Sequence, residues 1–202
     1  EEFAVTNLMA WSPDSEYLAF VRFDESEVPE YSMQMYGEGL YPGYYEYKYP
    51  KAGQKNSKVS VHSYSIVTKD TKEMKVPVEG DFYIPRISFT QNPDQLAIMT
   101  LNRQQNVFNM YYANPKSGVF RLILREENKC YVDSDWLTSI QFLNNGFTYV
   151  SEQDGYSHIY LYSPTGVMQR QVTQGNWDVT KFIGVDENTK TFYYESAEES
   201  PI

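Results

Sequence analysis

One strand-and-turn unit is written several times along this chain, and a repeated β-unit restricts the fold more than any single residue can. Residues 152–166 read as a turn, a strand in which Ile159 and Leu161 alternate with Tyr160 and Tyr162, and a second turn ending at Gly166. Residues 107–118 keep the same order of hydrophobic strand, small polar residues, Pro115 and Gly118, and residues 59–64 are a plainer third copy. A different echo precedes each of them. Residues 11–20, 89–98 and 142–150 each spell hydrophobic strand, polar turn, hydrophobic strand, and residues 185–194 spell it a fourth time. In the first, Ser12-Pro13-Asp14 supplies the bend, with Pro restricting φ and Asp bonding back to the backbone. Fourth strands are expected at 72–78, 121–125 and 168–173.

Four short antiparallel strands recurring about every forty to fifty residues are the pattern of a β-propeller blade. The fold expected is therefore all-β, a partial propeller of about three and a half to four blades. Residues 1–10 form an acidic helical or loop segment. Blades then occupy 11–80, 81–127 and 128–175, and a further one begins at 176–202. Nineteen tyrosines and eleven phenylalanines agree with strands, where aromatic and β-branched side chains suit a pleated surface.

The first unit is too long for the period, and the surplus lies in residues 30–57. This stretch holds Tyr36, Tyr41, Tyr44, Tyr45, Tyr47 and Tyr49 among prolines and glycines. A long insertion usually has a role, and this one presents large aromatic area to a partner or folds back over its own blade. Residues 126–139, with Cys130, Asp135 and Trp136, join one unit to the next across a face of the array. Asp135 and Trp136 are candidates for a binding loop, with plain packing as the alternative.

The charge of −10 argues against a nucleic-acid backbone as partner, because phosphate affinity needs clustered Lys and Arg. Cys130 is alone, so no internal disulfide is possible. His62 and His158 both fall inside strand copies without metal-ligand spacing, and no metal or cofactor is expected. No Gly-x-Ser-x-Gly elbow, phosphate loop or His-Glu-x-x-His is present. Ser157, His158 and Asp154 are neighbours on one turn and strand and cannot converge on a reacting carbon. No run of about twenty apolar residues suggests a membrane helix, and Glu1-Glu2-Phe3 does not read as a signal peptide. The stretch reads as one cut from a longer chain.

Trp11-Ser-Pro-Asp14 followed by Leu18 to Asp24, then Glu27-Val-Pro-Glu-Tyr31 and Tyr49-Pro-Lys-Ala-Gly53, resembles the N-terminal propeller of the dipeptidyl peptidase IV branch of the prolyl oligopeptidase family. Glu152-Gln-Asp-Gly-Tyr156, His158-Ile-Tyr160 and the run from Val172 to Val179 continue the resemblance in order over nearly the whole chain. It implies an eight-bladed propeller capping an α/β-hydrolase domain that lies outside these residues. The implied parent is a serine exopeptidase that removes Xaa-Pro or Xaa-Ala dipeptides from free N-termini of peptides. The fragment itself would carry no catalytic residue. Glu1 and Glu2 resemble the end of the family's acidic run that binds the substrate's α-ammonium group. Each such charge-assisted hydrogen bond is worth about 1.5–3 kcal/mol. Asp135 and Trp136 lie where the family has a substrate-pocket loop, although the stretch departs from the family pattern. The insertion corresponds to the family's dimerisation arm and implies a homodimer. The lone cysteine and the lack of any Asn-x-Ser/Thr acceptor depart from the animal enzymes and favour a bacterial, periplasmic parent. A reading from another class is a free-standing propeller that binds proteins through one face; a hydrolase domain encoded after Ile202 would decide between the two.

Overall fold

The structure, a computed structural model, describes Phe3, Val5 and residues 7–200. Among these residues all regular structure is β except a single 3-10 turn at Asp135–Thr138. The first sheet is built from β1 (Met9–Trp11), β2 (Tyr17–Asp24), β5 (Lys58–Ser65) and β6 (Thr71–Met74), in that spatial order. Between β2 and β5 the chain leaves the sheet as a separate antiparallel ribbon, β3 (Glu30–Met35) and β4 (Gly43–Lys48). The second sheet is β7 (Phe82–Phe89), β8 (Leu96–Asn102), β9 (Val107–Ala113) and β10 (Phe120–Glu127). The third is β11 (Gln141–Leu143), β12 (Gly146–Ser151), β13 (His158–Tyr162) and β14 (Met168–Gln171). A last pair, β15 (Val179–Asp186) and β16 (Thr191–Ser196), makes a two-stranded sheet. Every pairing is between antiparallel neighbours, so each four-stranded sheet is a plain meander.

Sequence alternation decides how these sheets meet. In β8 both parities are apolar: Leu96 and Ile98 face the first sheet, where they join Ala19, Val61 and Met74. Ala97, Met99 and Leu101 face the other way and join Phe147, Tyr149, Tyr160 and Tyr162 of the third sheet. The third sheet repeats the device, sending Val150 and Ile159 toward Val179 and Phe182 of the last pair. Successive side chains of a strand point to opposite faces, so a strand apolar at every position serves two cores. The sheets therefore stack in chain order with a core in each gap.

The turns close alike from one sheet to the next. Ser12 N donates to the Tyr17 carbonyl at 2.9 Å, and Thr90 N to the Gln95 carbonyl at 3.0 Å, each across the first hairpin of its sheet. Asp14 and Asn92 accept from backbone N–H groups two residues on, at 3.1 and 2.9 Å, which is the Asx-turn chemistry expected of such residues. The fourth strands differ in extent from the expected ones: β6 spans Thr71–Met74 and β10 spans Phe120–Glu127. Pro77 lacks an N–H for a ladder, which suits the early end of β6. The turn before β14 carries Gly166 at φ +85°, and a Cβ there would lie 1.8 Å from the Ile123 carbonyl oxygen. Only glycine lets that turn rest on the outer strand of the neighbouring sheet.

Candidate functional site

The inserted stretch is a β-ribbon rather than an irregular loop, and its register sorts the tyrosines. Tyr31 pairs with Tyr47, Met33 with Tyr45 and Met35 with Gly43, placing these side chains on one face. Tyr45, Tyr47, Tyr49 and Tyr31 form a chain of ring contacts with centroids 5.3–5.9 Å apart. The opposite face is polar: Glu30 bonds to Lys48 at 3.2 Å, and Gln34 donates to the Tyr44 hydroxyl at 3.3 Å and accepts from Tyr36 at 3.1 Å. Tyr41 stands near the tip, 87% exposed. Of the six arm tyrosines named from the sequence, three thus build an apolar face, two belong to the polar one, and one lies between the strands. The root of the ribbon is anchored firmly. Glu27 binds both Lys55 and Lys58, and those two ammonium groups hold its carboxyl down at about 2. Arg103 joins Asp81 at 2.7 Å and also donates to the Gln54 carbonyl, tying the returning chain to the second sheet.

A second feature lies where β7 begins. Glu1 and Glu2 fall outside the described residues, but Phe3, the next residue, is held twice. Its ring tilts against Tyr83 with centroids 5.2 Å apart, and its carbonyl accepts from Arg86 Nη2 at 2.8 Å. Arg86 Nη1 donates to the Pro85 carbonyl at 2.6 Å. Burial lowers the guanidinium pKa, opposed by the negative charge of Asp135. Arg86 therefore holds the residue following Glu2 and feels the charge of Asp135, although sequence reasoning did not select it. Pro85-Arg86 between Ile84 and Ile87 was the available signal, a charged break in an apolar strand.

Asp135 itself is exposed on the 3-10 turn. Trp136 is half-buried and packs against the cluster of Val150, Ile159, Val179 and Phe182, and its Nε1–H is buried without a hydrogen-bond partner. Beside it is a hollow lined by Glu126, Tyr131, Asp133, Tyr149 and Glu152. Burial pushes the Glu126 carboxyl above its ordinary 4.5, the hydroxyls of Tyr149 and Ser151 pull it back, and the charge of Glu152 raises it further. Burial, together with the charge of Glu126, sends the Tyr149 hydroxyl well up, so it acts here as a hydrogen-bonding group rather than an acid. At the other end of the strands a cleft of about 210 Å³ is lined by Thr90, Asn92, Tyr112, Phe142, Asn144 and Pro164.

The two histidines are structural. His158 is fully buried; its Nδ1 lies 3.0 Å from Thr173 Oγ1 and its Nε2 3.0 Å from the Gly175 carbonyl. Since Thr173 Oγ1 already accepts from Ile159 N, the network is satisfied when Nε2–H donates to Gly175 and the threonine hydroxyl donates to Nδ1. The Ser157 hydroxyl donates to Glu152 at 3.3 Å and not to His158. His62 lies 3.0 Å from the Ser60 hydroxyl and stacks on Phe20. Among the described residues no cluster of His, Cys, Asp and Glu has the arrangement of a metal site, and no helix is long and apolar enough to cross a membrane.

An all-β stack of meandering sheets with a projecting ribbon, and with Phe3 held against β7, defines a class of repeat-built scaffold. Residues 1–202 match the family described as the dipeptidyl peptidase IV (DPP IV) N-terminal region, and the chain belongs to that family. It is 31% identical over 215 residues to dipeptidyl peptidase 4 of Arthroderma otae, covering 97% of this chain and 27% of that protein. The crystal structure of Porphyromonas gingivalis dipeptidyl peptidase 4 superposes with a TM-score of 0.94 at 60% identity, covering 100% of this chain and 29% of that one. A putative dipeptidyl aminopeptidase IV from Bacteroides ovatus gives a TM-score of 0.81 at 26% identity, over 96% of this chain and 30% of its own. The chain thus spans under a third of each of these relatives.

Proposed function

We propose that this chain is the propeller portion of a serine exopeptidase that releases Xaa-Pro or Xaa-Ala dipeptides from the free N-termini of peptides. The three four-stranded sheets are consecutive blades, and β15–β16 begins a fourth in an eight-bladed parent. The catalytic triad belongs to an α/β-hydrolase domain of the same parent. This segment contributes recognition of the substrate's N-terminus, gating of access, and contacts between two copies in an extracytoplasmic, periplasmic setting. The observation that carries the reading is the 60% identity to the P. gingivalis enzyme over the full length of this chain.

Glu1 and Glu2 bind the substrate's α-ammonium group. Paired carboxylates offset the desolvation of a charged amine and fix it at a set distance from the nucleophile, so that cleavage falls after the second residue. Asp135 and Trp136 belong to a loop beside the substrate pocket. The apolar face of the ribbon, with Tyr45, Tyr47 and Tyr49, supplies the dimer contact, because a two-stranded ribbon alone has no core to cover that face.

The test is made on the full-length protein with Gly-Pro and Ala-Ala chromogenic dipeptides. Glu1→Gln or Glu2→Gln should lower kcat/KM by about 10- to 100-fold, the loss of one charged hydrogen bond, and N-acetylation of the substrate should abolish turnover. Near-normal turnover in both variants would refute the amine clamp, and no dipeptide release by the wild type would refute the activity.

A further inference from the structure

In a regular strand, residues three apart face opposite sides. Tyr83 and Arg86 do not, because β7 carries a bulge between them: Tyr83 pairs with Leu101 and Arg86 with Met99, three residues against two. The extra residue reverses the alternation, so both side chains stand on the face of β7 that looks toward the third sheet. Leu101 and Met99 belong to that core, and Phe3 and Tyr83 pack against it. The segment ahead of β1 belongs in sequence to the first sheet, yet at Phe3 it has crossed β7 to the next gap. Two groups on one side of the bulged strand hold it there, the Tyr83 ring by its side chain and the Arg86 guanidinium by its backbone.

We propose that Arg86 is the positioning residue for substrate amine recognition: its bond to the Phe3 carbonyl fixes the backbone one residue from Glu2, with Asp135 balancing its charge. This rests on the reading of Glu1 and Glu2 as the amine clamp. Arginine suits the task for two reasons. Its planar fork reaches two carbonyls, Pro85 and Phe3, at 2.6 and 2.8 Å, so the direction of the second bond is set by the first. Its fixed positive charge also feels the negative charge of Asp135, so the guanidinium stays charged while partly buried against the segment. Arg86 acts through the segment and does not touch the scissile bond.

The consequence is a split between binding and chemistry. In the full-length peptidase, Arg86→Met should raise KM for Gly-Pro p-nitroanilide about 10-fold while kcat stays within about 3-fold. Labelling of the nucleophile by a fluorophosphonate probe without an amine should keep its wild-type rate. Arg86→Lys retains the charge but not the fork and should raise KM about 3-fold; it carries the test if the Met variant does not fold. Glu1→Gln and Glu2→Gln are measured alongside. If these raise KM and neither Arg86 variant does, the positioning role alone is overturned. If the glutamate variants leave KM unchanged, the clamp itself is wrong. Equal losses of fluorophosphonate labelling and dipeptide turnover in Arg86→Lys, or in an Arg86→Met protein that still unfolds cooperatively, would mean general damage to packing, and would also overturn the role.

Discussion

The second sheet and the β3–β4 ribbon are built from much the same residue types and end in opposite situations. β8 reads Leu-Ala-Ile-Met-Thr-Leu from residue 96 and is buried on both faces. β3 reads Glu-Tyr-Ser-Met-Gln-Met from residue 30 and is largely exposed. The difference lies in parity. β8 is apolar at odd and even positions and so needs two neighbours, whereas β3 and β4 put their apolar side chains at alternate positions and have one face to cover. Aromatic content alone says only that a segment suits a strand. How many faces it must bury is read from the alternation, and what buries them is read from the rest of the fold.

The contrast is broken most sharply in the core. Phe108 is fully buried and stacks on Tyr149 across the gap to the third sheet, with ring centroids 5.6 Å apart. Phe108→Ala should cost about 3–5 kcal/mol in denaturant unfolding, and a loss below about 1 kcal/mol would mean that the gap is not a packed core. Gly166→Ala comes next. It combines a positive φ with overlap on the Ile123 backbone, and an unfolding penalty of about 2–3 kcal/mol is expected. In the ribbon the order of effects reverses. Tyr45→Ser with Tyr47→Ser should change stability by about 0.5 kcal/mol or less yet shift the protein toward monomer in light scattering. Persistent dimers would remove the ribbon from the interface.

The smallest effect concerns Glu126. Its folded pKa is raised above 4.5, so the folded state holds this proton more tightly than the unfolded chain does. Stability is then highest below the unfolded value and falls as pH rises from about 4.5 through the raised value. Glu126→Gln keeps an acceptor for the neighbouring hydroxyls without the charge. It should flatten that stretch of the pH–stability curve and make the protein slightly more stable at neutral pH than the wild type. An unchanged curve would show that the carboxylate is better solvated than its surroundings imply.

Much of the architecture was legible along the chain. The hairpin echoes at 11–20, 89–98 and 142–150 became the first two strands of three successive sheets, and the copies at 59–64, 107–113 and 158–162 became the third. These features are local: a turn needs Ser12, Asp14 or Asn92 at one offset, and a strand needs its period. The ribbon was legible only as surplus length. Its pairing depends on Tyr31 meeting Tyr47 across a bend, and nothing nearby in sequence announces that register. Trp136 was visible as a residue on a crossing connection, but its packing against Val179 and Phe182 depends on a sheet that begins some forty residues later. Arg86 was not legible, because its partner Phe3 lies 83 residues away.

By itself the sequence determined that this chain makes short antiparallel strands in a repeating order, since turn chemistry and side-chain alternation act between near neighbours. It also specified which strands must be buried on both sides. Only the tertiary structure decided what fills each gap, which tyrosines share a face of the ribbon, and that a bulge turns Arg86 toward the segment following Glu2. Those outcomes depend on sheets and segments far apart in the chain meeting in space, and no local pattern encodes where a distant partner will arrive.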